Sequence, residues 1–395
     1  MTAPTCPPGF AANGVTAGLK PSGKPDLAVV LAREGASAAA MLTTNQVRAA
    51  PLVVTARHLS SGANRVRALI VNAGCANAAT GTDGERRAQA TVEALAARLG
   101  CGPEQVLVNS TGVIGVPLPV EKLVGAMDSL VEGAAADGFG RAAEAIMTTD
   151  TRMKTAEAIG AGGRFRVVGM AKGAGMIHPD LAPAVPHATM IAVLLTDAQV
   201  MPVRLQTLLA ETCERSFHRI TVDGDTSTND AVFALASGAA GAVDENEVRS
   251  AFAEVARSLA AQIVRDGEGA QRLVRVAVAE AATAADALAV ARTVATSLLV
   301  RTAIAGGDPN WGRILAAIGR SGATLDLERL VVDADGVRLF EHGAPQPTTA
   351  AQRARIFKGD PVTIEIRLGL GTAADEFMTC DLTKGYVEIN SEYTT

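Results

Sequence analysis

Aromatic residues are scarce in this chain, since Phe, Trp and Tyr together make up 3% of its 395 residues. Hydrophobic residues reach 48% and charged residues 19%, proportions typical of a globular rather than a disordered protein. Small side chains must therefore fill much of the core, which favours close approach of backbones. A basic excess is also lacking, because the formal net charge is −5 and no basic tract stands out. These absences exclude nucleic acid as an expected partner.

Cysteine is rare as well, and its spacing does not indicate a metal site. The five cysteines are scattered without a Cys-x-x-Cys pair, so neither a disulfide framework nor a zinc site is predicted. The five histidines lack metal-ligand spacing. No apolar run reaches the length of a membrane span, and the first 19 residues lack Lys, Arg and a long apolar core, so we expect neither a membrane partner nor a signal peptide. The expectation is a cytoplasmic protein without a bound metal.

Helical and strand patterns alternate along the chain, which predicts an α/β fold. Predicted strands lie at 27–32, 66–72, 105–109, 165–170, from 189 onward, and at 273–278, 330–337, 362–368, 376–381 and 386–389. Predicted helices lie at about 83–99, 119–131, 138–147, 202–217, 245–266, 283–297 and 348–357, with Gly100 ending the first. The length favours two or three domains. We expect a main unit at 1–280 and a smaller C-terminal α/β domain at 281–395.

Three segments imitate ligand-binding motifs but lack essential groups. Residues 18–25, Gly-Leu-Lys-Pro-Ser-Gly-Lys-Pro, nearly spell a phosphate loop, yet Pro25 has neither the hydroxyl nor the N–H that the motif needs. Residues 369–374 mimic a dinucleotide fingerprint, with too little chain after them for a βαβ unit. Residues 223–230 are acidic but lack the glycine and the closing Glu of a calcium loop. No cofactor is therefore expected.

A more informative segment joins a Gly/Pro-rich loop to an apolar strand at Thr189. Cutting the bond between Ala188 and Thr189 would give Thr189 a free α-amine beside its own hydroxyl. Such an amine titrates near pH ~7.7–8.0, which suits a general base, so one residue would supply both nucleophile and base. The ordinary alternative is a threonine that merely starts a strand. His178 and His187 flank this position, either as an assisting base or, more simply, as polar loop residues.

Several phrases of the sequence occur together in one known family. They are Thr-Thr-Asn at 43–45 with Ala-Ala-Pro at 49–51, Ser-Thr-Gly-Val-Ile-Gly at 110–115, Ile-Met-Thr-Thr-Asp-Thr at 146–151, Lys-Gly-Ala-Gly-Met-Ile at 172–177, Val-Asp-Gly-Asp-Thr-Ser-Thr-Asn-Asp at 222–230, Asp-Pro-Asn-Trp-Gly-Arg-Ile at 308–314, Asp-Leu-Thr at 381–383 and the ending at 389–395. Each phrase is weak alone, but their order and span are specific. From Gly9 to its last residue, the chain resembles the ornithine acetyltransferases of arginine biosynthesis.

The resemblance implies a layered α/β/β/α sandwich and a precursor that cuts itself between Ala188 and Thr189. The products, an α chain of 1–188 and a β chain of 189–395, would stay together as a heterotetramer of two α and two β chains. Thr189 would take an acetyl group from N-acetylornithine, and glutamate would then accept it. Some members of the family also use acetyl-CoA as donor.

The resemblance also assigns roles to individual residues. Thr111 and Gly112 would donate hydrogen bonds to the oxyanion of the acyl transfer. Lys172 would bind substrate through a carboxylate, and Glu268 would face the substrate's ammonium group. Further residues that would line the pocket are Thr148, Asn390 and Thr395.

The chain departs from the family pattern in two places. About six extra residues lengthen the loop at 180–187, which is still an ordinary connection length. Ala73 and Cys75 replace the more usual Ser and Asn, and Cys75 is open to interpretation as a packed thiol or as a change at the edge of the site. Two other functions remain in view. One is an N-terminal-threonine amidohydrolase or aminopeptidase, and the other is an uncleaved binding protein; a relative specialised for another amino-acid acceptor is a further variant.

Overall fold

The computed structural model of the chain describes residues 3–61, 65–183 and 190–392. Contacts between Cα atoms divide these residues into two compact units. The first contains the described residues up to His218 together with Asp225–Ile263, and the second contains Arg219–Gly224 and the described residues from Val264 onward. The predicted cut between Ala188 and Thr189 lies outside the described residues.

The first unit is built on a nine-stranded sheet. Its strands are β1 (Phe10–Val15), β2 (Leu27–Thr43), β3 (Val66–Cys75), β4 (Val106–Val113), β5 (Lys154–Ile159), β6 (Arg166–Lys172), β7 (Leu181–Pro183), β8 (Ile191–Ala198) and β9 (Ala231–Gly241). The order is β4-β3-β2-β9-β8-β6-β5, and β1 and β7 each pair with β2. β3 is parallel to β4, and β8 is parallel to β9, whereas the other pairs are antiparallel.

The long strand β2 joins two halves of this sheet. Its first part pairs with β1 and β3, and its second part pairs with β7 and β9. Because successive side chains of a strand point to opposite faces, Ala28 and Val30 enter a core that also contains Val193 and Phe233 of the other half. The two halves therefore share one apolar interior.

Helices pack against both halves of the sheet. They are α1 (Ala50–Ser60), α2 (Gly81–Leu99), α3 (Val120–Glu132), α4 (Phe139–Ala145), α5 (Pro202–Glu214) and α6 (Glu245–Arg265). α2 and α3 pack with Val29 and Ile70 in a second core. On the other half, α6 lies so close that a Cβ added to Gly169 would be 2.6 Å from the Val255 side chain. The layers run helix, sheet, sheet, helix, so the predicted α/β/β/α sandwich is confirmed.

The second unit contains a six-stranded sheet with helices packed on one face. Its strands are β10 (Leu273–Ala281), β11 (Val331–Ala334), β12 (Val337–Glu341), β13 (Ala344–Pro345), β14 (Val362–Arg367) and β15 (Ala373–Cys380), in the order β13-β12-β11-β14-β10-β15. Its helices are α7 (Ala284–Ala295), α8 (Leu298–Gly306), α9 (Trp311–Gly319), α10 (Ala350–Arg355) and α11 (Lys384–Glu392). Apolar residues of α7, α8 and α9 share a core with one face of the sheet.

Among the described residues, no single helix is long and apolar enough to cross a membrane. The bent pair formed by α7 and α8 passes that test by length and composition only. Val290 and Val294 of α7 and Ile304 of α8 belong to the core of the second unit.

Two strand predictions in the second unit are wrong. The strand predicted at 330–337 ends at Ala334, because Asp335 and Gly336 adopt positive φ angles of 45° and 73° and turn the chain into a hairpin with β12. The predicted strand at 386–389 lies within helix α11. The hydroxyl of Thr383 accepts the N–H of Gly385 at 3.1 Å, an arrangement typical of a helix start, which outweighs the strand propensity of the Tyr-Val-Glu-Ile segment.

Candidate active site

The parallel strands β3 and β4 end where two glycine backbones touch. Gly74 pairs with Gly112, and their φ angles are +107° and +128°. A Cβ added at Gly112 would lie 2.3 Å from the carbonyl carbon of Gly74, so a larger residue does not fit without movement. The ladder is irregular here, since Cys75 pairs with both Thr111 and Val113. Such a bulge redirects backbone groups at the end of a strand.

A network of buried side-chain hydrogen bonds holds this irregular segment. Asn229 Nδ2 donates to the carbonyl oxygens of Ala76 and Ser110, each at 2.7 Å. Ser110 Oγ donates to Asn72 Oδ1 at 2.6 Å, and Asn72 Nδ2 donates to the carbonyl of Cys75 at 2.8 Å. Cys75 is itself buried, and burial raises the pKa of its thiol. Cys75, which replaces the more usual Asn of the family pattern, is therefore a packed thiol in this structure.

Lys172 brings a positive charge to the buried hydroxyl of Thr111. It is the last residue of β6, is 3% exposed, and is the register partner of Ile191 at the start of β8. Its Nζ donates to Thr111 Oγ1 at 3.3 Å. The side chains of two residues that the family resemblance assigned separately thus meet directly.

Asp150 links the Thr148 turn to the end of β6. One carboxylate oxygen accepts the backbone N–H of Thr148 at 2.9 Å, and the other accepts the N–H of Gly173 and the ammonium of Lys154, each at 2.6 Å. The side chains of Asp150 and Lys154 are 0% and 1% exposed. Burial alone would raise the pKa of Asp150, but the charges of Lys172 and Lys154 lower it to about 2. The carboxylate is therefore ionised at neutral pH.

The segment that imitates a phosphate loop contributes a further cation. The backbone N–H groups of Leu19 and Lys20 donate to the buried carboxylate of Asp26 at 2.5 and 3.0 Å, so this loop is organised around its own anion. The Lys20 ammonium donates to the carbonyl of Ala145 at 3.1 Å. Burial lowers the pKa of Lys20 to about 8, and the charge of Lys172 acts in the same direction. Lys20 therefore lies within the electrostatic reach of Lys172.

Two predicted pocket residues contact each other in the second unit. Asn390 Nδ2 donates to Glu268 Oε2 at 2.9 Å and to the carbonyl of Tyr386 at 3.0 Å. The turn at Gly269 touches the same helix, because a Cβ added there would lie 2.2 Å from the Tyr386 nitrogen. Thr383 Oγ1 also donates to the Gly269 carbonyl at 2.6 Å. Helix α11 is thus fixed at its start and at Asn390.

The structure brings together most of the predicted residues that it describes. In the first unit, Thr111 meets Lys172, and Thr148 is joined to the neighbouring Gly173 through Asp150. Ala188, Thr189, His187 and Thr395 lie outside the described residues, and the chemical role of each predicted residue remains a prediction. Sequence reasoning missed Asp150, Lys154 and Lys20. Asp150 belongs to the quoted phrase at 146–151, which was the available signal.

A buried ammonium, a buried hydroxyl and a glycine-rich strand end are suited to stabilising negative charge on a carbonyl oxygen under attack. On this α/β/β/α scaffold, they define an acyl-transfer enzyme as the class of protein. Comparison with known proteins gives the particular family.

The ArgJ family model matches residues 11–395. The chain is 46% identical over 394 residues to the arginine biosynthesis bifunctional protein ArgJ of Deinococcus radiodurans, covering 99% of this chain and 98% of that protein. It is 45% identical over 389 residues to the protein of the same name from Thermus thermophilus, covering 98% and 99%. A crystal structure of ornithine acetyltransferase complexed with ornithine, from Mycobacterium tuberculosis, has 40% identity and a TM-score of 0.40, covering 46% of this chain and 96% of that one.

The chain belongs to the ArgJ family. The resemblance drawn from its sequence phrases is confirmed, and so is the prediction of an acetyltransferase of arginine biosynthesis.

Proposed function

We propose that the chain cuts itself between Ala188 and Thr189 and then uses Thr189 as its nucleophile. The described chain resumes at Met190, whose carbonyl accepts the N–H of Ala231 at 2.6 Å and whose N–H donates to the buried Asp230. Ile191 then pairs with Lys172. Two residues of extended chain span at most about 7 Å. Thr189 comes two residues before Ile191, which supports a reaction at Thr189 close to Lys172. This position of the β8 start beside the Lys172–Thr111 pair is the observation that carries the proposal.

Self-cleavage in this proposal is an internal acyl shift. The Thr189 hydroxyl oxygen attacks the carbonyl carbon of Ala188, the C–N bond breaks, and an ester joins Ala188 to the Thr189 oxygen. Water then hydrolyses that ester. The products are a carboxylate at the end of the 1–188 chain and a free α-amine on Thr189, which begins the 189–395 chain.

The mature enzyme then transfers acetyl groups in two steps. The α-amine accepts the Thr189 hydroxyl proton as the oxygen attacks the acetyl carbonyl of N-acetylornithine. The amide C–N bond breaks, the proton passes to the leaving amine, ornithine departs, and an acetyl ester remains on Thr189. The amine of glutamate attacks that ester, so N-acetylglutamate forms and the threonine hydroxyl is restored.

The residues of the first unit would serve the carbonyl and the substrate. Thr111 and the Gly112 N–H would donate to the oxyanion, supported by the close backbone contact at Gly112. Lys172 and Thr148 would bind substrate. In the second unit, Glu268 would pair with the substrate's ammonium group, and its contact with Asn390 supports a shared role for them. Thr395 is proposed for the same pocket.

The proposal extends to donor, assembly and location. Acetyl-CoA is proposed as a second acetyl donor, supported by the word bifunctional in the relatives' name. Two α and two β chains would form a heterotetramer. All five cysteines are free thiols, which supports function in the reducing cytoplasm.

The test combines intact-mass measurement with an activity assay. We expect the purified protein to give two fragments, one that ends at Ala188 and one that begins with Thr189. Thr189→Ala should give one intact chain and lower acetyl transfer by about 10³-fold or more, whereas Thr189→Ser should still cleave because it keeps a hydroxyl.

The assay supplies N-acetylornithine with glutamate and measures both N-acetylglutamate and free acetate. Transfer should dominate. Dominant acetate release would instead favour the amidohydrolase, and a wild-type chain that stays intact and inactive would favour the binding protein.

A further inference from the structure

The hydroxyl of Thr111 is held with its proton pointing away from Lys172. An ammonium group has three N–H donors and no lone pair, so in the 3.3 Å contact the threonine oxygen must accept. The oxygen's own proton then needs a different acceptor. Among the residues that the structure describes, Lys172 is the sole hydrogen-bonding partner of Thr111 Oγ1.

A buried hydroxyl proton without an acceptor is costly, about 1–3 kcal/mol for a typical unsatisfied group. Thr111 is 0% exposed, so bulk water is a poor substitute. The acceptor is best supplied by a ligand oxygen. Hydrogen bonds polarise one another in a chain, so an oxygen that accepts from an ammonium becomes a stronger donor through its own proton.

The buried carboxylate of Asp150 holds the chain directly after Lys172. Asp150 is a buried carboxylate whose oxygens also hold the N–H of Gly173, the residue that follows Lys172 in the chain. The charge of Lys172 is felt strongly at Asp150, as the lowered pKa of that carboxyl indicates. Lys154 is a second buried cation on the same carboxylate, and its ammonium donates to Asp150 and to the Arg152 carbonyl.

We propose that Lys172, besides any contact with substrate, is a positioning residue that orients and polarises the Thr111 hydroxyl toward the carbonyl oxygen under attack. This inference rests on the proposed function, since the acceptor is the acetyl oxygen as its negative charge develops. It differs from a purely substrate-binding role, because part of the effect of Lys172 must then pass through Thr111.

A double-mutant cycle on acetyl transfer from N-acetylornithine to glutamate tests this dependence. Thr111→Val removes the hydroxyl and keeps the branched shape, and we expect kcat to fall by about 10²–10³-fold, as for other lost oxyanion donors. Lys172→Met should lower kcat at least 10-fold. In the Thr111→Val background, Lys172→Met should lower kcat by less than about threefold, because no hydroxyl remains to be oriented. Any change in KM caused by lost substrate binding should persist in that background.

Lys154→Met is the matched control, because it also removes a buried ammonium beside Asp150. Its effect on kcat should multiply with that of Thr111→Val. Thr111→Ser keeps a hydroxyl, so in that variant Lys172→Met should lower kcat as much as it does in the wild type. Rates are divided by the cleaved fraction measured by intact mass, and Lys172→Arg with Thr111→Val provides a milder cycle if Lys172→Met fails to fold or to cleave.

The two hypotheses fail in different ways. If the wild-type protein cleaves and transfers acetyl, but the effects of Lys172→Met and Thr111→Val on kcat multiply, the positioning role alone is overturned. A wild-type protein that does not transfer acetyl to glutamate overturns the proposed function itself.

Discussion

The charged cluster around Asp150 and the ion pairs on the exposed face of the second sheet use the same residue types in different surroundings. Asp150 and Lys154 meet at 2.6 Å with side chains 0% and 1% exposed. Arg275 and Glu376 also meet at 2.6 Å, but both side chains are 42% exposed. Distance therefore does not distinguish the two pairs, whereas burial does.

Burial changes the energetic consequence of losing one partner. Water screens an exposed pair and solvates whichever charge remains, so such pairs contribute little. A buried charge left alone has neither water nor partner. The Asp150 carboxylate also holds backbone N–H groups at Thr148 and Gly173, so its loss affects the shape of the site. The comparison indicates that the charges of the Asp150 cluster serve the shape of the site rather than general solubility.

The largest expected effect follows removal of the buried carboxylate. Asp150→Ala removes the carboxylate that the buried Lys154 ammonium contacts, and we expect the free energy of unfolding to fall by about 3–5 kcal/mol, measured by urea unfolding. Asp150→Asn keeps the shape and one acceptor oxygen, so its loss should be smaller. A loss under about 1 kcal/mol for Asp150→Ala would show that water reaches the cluster.

Lowering the pH should have an intermediate effect on the free energy of unfolding. The folded-state pKa of Asp150 is about 2, below its ordinary value of 3.8, so the stabilisation is complete above about pH 4 and is lost as the pH falls toward 2. The shift corresponds to about 2 kcal/mol. Unfolding free energies of the wild type and Asp150→Asn, measured from pH 5 to pH 2.5, should converge as the pH falls. A gap that stays constant would contradict an ionised Asp150.

Local signals in the sequence predicted much of the fold. Helix α2 ends at Leu99 with Gly100 in a left-handed conformation at φ 61°, as its glycine indicated. Helix α1 was missed although Pro51 occupies its first turn, because the short apolar run at 50–60 also suits a buried segment of another type. The strand predicted at 386–389 failed because strand propensity depends on an available partner.

The site was predictable only in part, for a similar physical reason. Family phrases identified Thr111, Gly112 and Lys172, and the structure brings the first and last of these into contact. The role of Asp150 was not visible, because a charged residue in a polar phrase is usually solvated. Its burial depends on β5 and β6 lying together, which Lys154 and Ala171 do as register partners. Long-range pairing of this kind is not encoded in a local pattern.

The smallest expected effect concerns the exposed pair. Arg275→Ala should change the free energy of unfolding by at most about 1 kcal/mol, and Glu376→Gln should do the same, with kcat and KM for acetyl transfer unchanged. The double variant should equal either single one within about 0.5 kcal/mol, because neither remaining charge is deprived of water. The measurement is urea unfolding at low and high salt, and screening should reduce even this small effect. A loss as large as that of Asp150→Ala would mean that the face is covered in the working protein, since only exclusion of water makes the stranded charge so costly.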